Sequence, residues 1–182
     1  MEYEGRKYSY SVVPYAREWP EIYEREAALV QRVVAGDLLY IEHVGGTAVA
    51  GLASRPIVDI AATVRDLGRI DFHHMAFRAA GYEPINDLTI PHARRFRKDL
   101  VAHLYIFPEE HPRMTAMLDH RDYLRAHPDE VERLADAKRR LFKKYPRDYA
   151  AYREHRETLF KELSQKAARW RGREAEDDCG TV

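Results

Sequence analysis

The run Ile57–Val64, IVDIAATV, is aliphatic except at Asp59 and Thr63, and it constrains the fold more than any other stretch. Such a run reads as a strand that wants burial. Alternation puts Ile57, Asp59, Ala61 and Thr63 on one face, and Val58, Ile60, Ala62 and Val64 on the other. The second face is wholly apolar and must pack on helices. Asp59 is left on the face where the sheet is open or lines a cleft. Desolvating an unpaired carboxylate costs several kcal/mol, so Asp59 has to meet a cation, a metal or strong donors. A salt bridge to Arg55 is the plain structural alternative.

A second strand, DLLYIEHVG (Asp37 to Gly45), precedes this run, and the turn between them carries Gly45, Gly46 and Gly51 with the Thr47 hydroxyl. Glycines let successive backbone N–H groups approach a phosphate. They also simply reverse sheets; the added weight comes from a hydroxyl, Arg55 and a strand acid within one short span. Upstream, SVVPY suits an extended edge segment, because Pro14 lacks a ladder donor. A helix then opens at Pro20 and stops at Gly36. Downstream, Asp66 caps a helix that carries Leu67, Ile70 and Phe77 inward and ends at Gly81. The segment from His92 to Phe107 alternates about Lys98–Asp99 as a hairpin, with Val101, His103, Tyr105 and Phe107 on one face. His103 there can be a base, a metal ligand or a hydrogen-bonded core imidazole, and His43 is equally open.

From Glu109 the pattern turns helical, with Pro128 and Pro146 at expected helix starts. Each helix carries one cation within its apolar stripe: Arg121 among Met114, Met117, Leu118 and Leu124; Lys138 among Val131, Leu134, Leu141 and Phe142; Arg156 among Tyr149, Tyr152, Leu159 and Leu163. Snorkelling accounts for one such residue easily. Three in succession point to a cleft holding an anion or Asp59, because long cationic side chains can clamp polyphosphate. Strands first and helices last make an α+β plan, a mixed sheet covered by helices with a C-terminal helical segment. At 182 residues and 45% hydrophobic content, a single domain over 1–170 is expected, sheet-bearing over 11–108 and helical over 109–170, with a disordered tail at 171–182.

Charge narrows the function. Thirty basic side chains balance thirty acidic ones, so nothing global draws the chain to nucleic acid or an anionic membrane, and no apolar run approaches a membrane span. The N-terminal stretch has no apolar signal core, and the lone Cys179 precludes an internal disulfide framework or a cysteine zinc cluster. A cytoplasmic protein is expected.

The blocks VVPYAREWP, IEHVGGTAVAGLASRPIVDI, HRDYLRAHPDE and KYPRDYAAYRE resemble the GrpB family (UPF0157) of the nucleotidyltransferase-fold superfamily, from Ser11 to about Phe160. That resemblance implies a nucleotidyltransferase-like mixed sheet and a pocket for a nucleotide or other phosphorylated small molecule. The positions matching the family or carrying basic equivalents are His43, Gly45, Thr47, Asp59, His103, Arg121, Lys138, Tyr152 and Arg156, with Gly46 and Arg55 beside them. Active members of the superfamily hold two Mg²⁺ ions on two acids one residue apart. Here Asp59 is the first acid and Ala61 stands at the second place, while Gly46 replaces the usual serine and Arg55 the usual lysine. The resemblance thus implies Asp59 and His103 as catalytic residues and as ligands of a single Mg²⁺ or Mn²⁺, for nucleotidyl transfer to a small-molecule hydroxyl. The alternative is a non-catalytic accessory or ligand-sensing domain, linked to CoA biosynthesis by a fusion among relatives.

Overall fold

The computed structural model describes residues 10–85 and 89–179, with side chains as far as residue 172. Five strands form one mixed sheet: β1 (Leu38–Val44), β2 (Val58–Val64), β3 (Glu83–Pro84), β4 (Arg94–Lys98) and β5 (Ala102–Pro108), in the order β1-β2-β5-β4-β3. β2 runs antiparallel to β1 and parallel to β5, while β4 pairs antiparallel with β5 and β3. The helices are α1 (Trp19–Val34), α2 (Leu67–Ile70), α3 (His74–Ala79), α4 (Pro112–Ala126), α5 (Pro128–Lys144) and α6 (Tyr149–Cys179).

The apolar face of β2 is where alternation places it. Val58, Ile60, Ala62 and Val64 join Leu104 and Ile106 of β5 in one core with Trp19, Val30 and Val34 of α1, Ile70 of α2 and Phe77 of α3. On the opposite face, Val44, Ala61 and Phe107 pack under Met114 of α4. A third cluster joins the turn residues Val49, Leu52 and Ala53 to Leu124 of α4, Val131 and Leu134 of α5, and Leu163 of α6. The helical layer therefore anchors the β1–β2 turn directly. Since a buried large-to-Ala change typically costs ~2–5 kcal/mol, these contacts hold the turn firmly.

Several boundaries differ from expectation for local reasons. Helix α1 ends at Val34, and Ala35, not Gly36, takes the positive φ of 47° before a 3₁₀ turn over Ala35–Asp37. Asp66 does cap α2, accepting from the Gly68 N–H at 2.8 Å, but a 3₁₀ turn at Asp71–His73 divides the expected helix into α2 and α3. Gly81 holds the expected left-handed stop, φ 87°. Lys98 still pairs with Ala102, so the hairpin reverses one step later than expected, with Leu100 at φ 54°. Pro146 precedes α6 instead of opening it; the Asp148 carboxylate accepts from the Ala151 N–H at 3.0 Å. The Pro14 segment makes a strand bridge in which Val13 and Ser54 exchange backbone hydrogen bonds of 2.9 and 3.0 Å, while Val12, Val13 and Tyr15 pack on the cores. Where a tail was expected from residue 171, the backbone continues helical to Cys179; residues 180–182, like the leader 1–9, lie outside the described residues.

Candidate functional site

Strand pairing brings the first site residues together. Asp59 lies opposite Val44 on β1 and His103 on β5. The His103 Nδ1 is 3.4 Å from Asp59 Oδ1, and the Tyr105 hydroxyl donates to the same oxygen at 3.4 Å. Burial pushes the Asp59 carboxyl up, but His103, by hydrogen bond and charge, together with Arg55 and Arg156, holds it below the ordinary value. Burial and the Asp59 charge both push the Tyr105 phenol up, so it stays a neutral donor.

The glycine turn closes over this acid. Gly45 has φ 73°, and a Cβ built there would overlap Asp59 Oδ2. Gly46 begins a 3₁₀ turn over Gly46–Ala48, and a Cβ there would overlap Ser54 Oγ. Thr47, 1% exposed, hydrogen-bonds at 3.0 Å with His43 Nε2. His43 pairs across β1 with Ile60 and stacks at 4.7 Å on Tyr23 of α1, which puts it on the sheet face opposite Asp59. It braces the turn from behind. Burial holds His43 down at about 4.

That depression carries a sign. With the folded value below the unfolded one, the unfolded chain binds the extra proton between pH ~6.5 and ~4, so stability is lost as pH falls through that window. The full loss is about 3 kcal/mol by this linkage. His43→Phe keeps a ring on Tyr23 and removes the titration, so its urea unfolding free energy is expected to fall less between pH 7 and pH 4.5 than that of the wild type. Equal acid slopes in the two proteins would contradict this assignment.

Two of the three helix cations lie within electrostatic reach of Asp59. Lys138 of α5 is 5% exposed and donates from Nζ to Ser54 Oγ at 2.9 Å. Burial lowers its ammonium to about 7, with Arg156 and Arg55 pushing the same way and Asp59 opposing. Arg156 of α6 stands over Phe160 at 5.0 Å, and its buried Nε makes no hydrogen bond. Arg55, at the foot of β2, lies over the Tyr149 ring at 5.3 Å. Among the described residues none of these three cations forms an ion pair, so the salt bridge from Arg55 to Asp59 considered from sequence is not made. Arg121 is placed elsewhere: it donates to Glu42 at 2.6 Å, to Asp122 at 2.8 Å and to the His43 carbonyl at 3.2 Å. The acid exposed along β1 neutralises it, and the expectation of three converging helix cations is corrected to two, with Arg55 as the third. Tyr152 is fully buried, in a ring cluster with Tyr10 and Tyr149, and supports the floor rather than facing a ligand.

The donor set decides the metal question. Among the described residues no group of three or more His, Cys, Asp or Glu side chains gathers. Asp59 Oδ1 already faces His103 Nδ1 and Tyr105, its Oδ2 lies against Gly45, and Ala61 is a buried methyl. The two expected ligands thus point at each other, and Arg55 and Arg156 add positive charge where a cation would sit. A single carboxylate already engaged by His103 and Tyr105, with guanidinium charge beside it, does not fit a resident Mg²⁺ or Mn²⁺, which even when it keeps its waters is bound through one or two free carboxylates.

Ser54 is the site residue that sequence reasoning missed. Its only signal was a hydroxyl next to Arg55, indistinguishable from any loop serine. Above the site lies an open cleft of ≈ 1940 Å³, lined by Arg55, His103 and Tyr105 on one side and by Tyr149, Arg153 and Arg156 of α6 on the other. Lys138 lies behind this wall.

Fold and site together define a small α+β unit built around one strand carboxylate and three cations that, among the described residues, form no ion pair. The chain belongs to the GrpB protein family, which it matches over residues 9–166. It is 26% identical to the UPF0157 protein YqkA of Bacillus subtilis over 88% of this chain and 48% of that protein, so it spans about half of that relative's length. It is 29% identical to the UPF0157 protein BH1888 of Halalkalibacterium halodurans, covering 87% of this chain and 83% of that one. The crystal structure of the conserved protein GrpB from Enterococcus faecalis superposes with a TM-score of 0.82 at 25% identity, covering 86% of this chain and 96% of that chain. Among the described residues no helix is long and apolar enough to cross a membrane.

Proposed function

We propose that this protein binds a phosphorylated small molecule, with nucleotides the first class to test, in the cleft beside the glycine turn. One observation carries the reading: Arg55, Lys138 and Arg156 all act on the charge environment of a single carboxylate, Asp59, and among the described residues none of the three forms an ion pair. Three like charges, one of them buried, attract an incoming phosphate, which offsets their mutual repulsion and fills the guanidinium donors. Arg55 and Arg156 line the cleft and contact the anion; Lys138 supplies charge from behind.

Nucleotidyl or phosphoryl transfer to a hydroxyl is the finer reading, and the Asp59–His103 contact favours it. Asp59 orients the ring through Nδ1, and the other nitrogen of this cleft-lining histidine accepts the proton of an attacking hydroxyl. No step runs through a metal. Should product assays find no turnover of a bound ligand, the accessory or sensing role is what remains.

Thermal unfolding with ATP, other nucleoside triphosphates and CoA tests the binding. A ligand at a hundred times its Kd adds about 2.7 kcal/mol and raises Tm by about 5–10 °C for a chain of this size. The shift is expected to survive EDTA. A shift only with Mg²⁺ would overturn the metal-free site, and flat curves for every phosphorylated probe would overturn the binding itself.

A further inference from the structure

The Ser54–Lys138 contact deepens this reading, on which the inference rests for its ligand. We infer that Ser54 is a positioning residue: it supplies the hydroxyl of the glycine turn from the strand side and aims the Lys138 ammonium at the anion site, in the space a side chain at position 46 would otherwise fill.

Three observations lead there. Ser54 is held in place by its backbone, which exchanges both hydrogen bonds with Val13, and its side chain is 4% exposed. Its Oγ accepts from Lys138 Nζ at 2.9 Å, leaving the hydroxyl proton to donate. The three nearest obstacles to a Cβ at Gly46 belong to this pair: Ser54 Oγ, then Lys138 Nζ at 3.1 Å and Ser54 Cβ at 3.2 Å. Gly46 has no left-handed φ, so its backbone accepts any residue and only space excludes a side chain. A hydroxyl at 54 and a side chain at 46 are therefore alternative occupants of one position. The ammonium lies within reach of both.

The environment gives the arrangement a purpose. Lys138 is faced by Arg156 from α6, by Arg55 and Ser54 from the segment before β2, and by Asp59 from β2. Two of those groups disfavour its charge. A hydroxyl acceptor fixed on Nζ favours the charged form and fixes its direction, which is what an anion site needs from a lysine that burial otherwise tends to neutralise.

The test is a reciprocal exchange. In ligand-free protein, NMR titration of Lys138 Nζ is expected to move down by about one unit in Ser54→Ala, because an acceptor for the charged form is lost. ATP and tripolyphosphate, titrated near pH 7 and read as Kd, are expected to bind that variant about tenfold more weakly. Ser54→Cys, close in shape but a poor acceptor, behaves like the alanine variant. The double variant Gly46→Ser with Ser54→Gly clears both Ser54 obstacles and returns the Lys138 titration and both affinities to within about threefold of wild type. A Ser54→Ala protein with unchanged Lys138 titration overturns the inference whatever the ligand result. So does a folded exchange variant that stays as weak as Ser54→Ala. Absence of ATP and tripolyphosphate binding in the wild type would sink the proposed function alone, since the ligand-free titration still judges Ser54.

Discussion

Lys138→Met is expected to leave a folded protein that is more stable than the wild type and blind to phosphorylated ligands. Lys138 is 5% exposed, its ammonium donates to Ser54, and its charged neighbours include two arginines against one carboxylate. Replacing buried charged groups by apolar side chains of similar volume is often neutral or stabilising, by up to about 1–4 kcal/mol, and a lysine without a carboxylate partner gives up no ion pair. The pH dependence identifies the origin. Burial lowers the folded-state value to about 7 from 10.5, so the unfolded chain binds the extra proton between those two values and wild-type stability rises with pH across that window. The gain from methionine is thus full below pH 7 and disappears as pH approaches ~10.5. Urea denaturation at pH 6.5 and pH 10 measures it. Ligand binding works the other way, because an anion stabilises the charged lysine: the wild type takes up a proton on binding and loses affinity above pH 7. A methionine variant that is less stable at pH 6.5, or that keeps the full ATP shift, would assign Lys138 to the structural framework instead.

Much of this geometry is legible in the sequence, and the limits of that legibility are physical. The two faces of β2 follow from a period of two, and both are populated as alternation requires. Lys138 was visible as a gap in an apolar stripe, because the helix periodicity fixes which side a residue faces. Arg121 gave the same signal and proved to be paired, since periodicity names a face and not the group opposite; Glu42 and Asp122 neutralise it there. His43 shows the same limit on a strand. Alternation orders its neighbours, but only the register with Ile60 reveals that it stands with Tyr23 behind the sheet. Ser54 could not be seen at all, because its role depends on Gly46 and on Lys138, which is 84 residues away in sequence. The GrpB resemblance matched residues that alternation and periodicity had already singled out, and the structure separates them into a group of Asp59, His103, Arg55, Lys138 and Arg156, a bracing pair of His43 and Thr47, and an outlying Arg121.

The glycine turn predicts the other large effect. Gly45→Ala is expected to destabilise the protein by two independent routes. The position has φ 73°, where a non-glycine residue pays about 1–3 kcal/mol of backbone strain. Its new methyl would also meet the Asp59 carboxylate, with Oδ2 overlapping and Cβ and Cγ at 3.1 Å, an overpacking typically costing about 1–3 kcal/mol. The routes separate in a double-mutant cycle. Asp59→Ala removes the carboxylate but not the φ, so Gly45→Ala costs less in that background by roughly the overpacking share. Urea denaturation of the four proteins at pH 7 gives the coupling directly. Additive losses would mean that Gly45 and Asp59 are not in contact and that the turn does not close over the acid. A strong coupling fixes the carboxylate beneath the turn backbone, where it can hold His103 beside a ligand anchored by the cations.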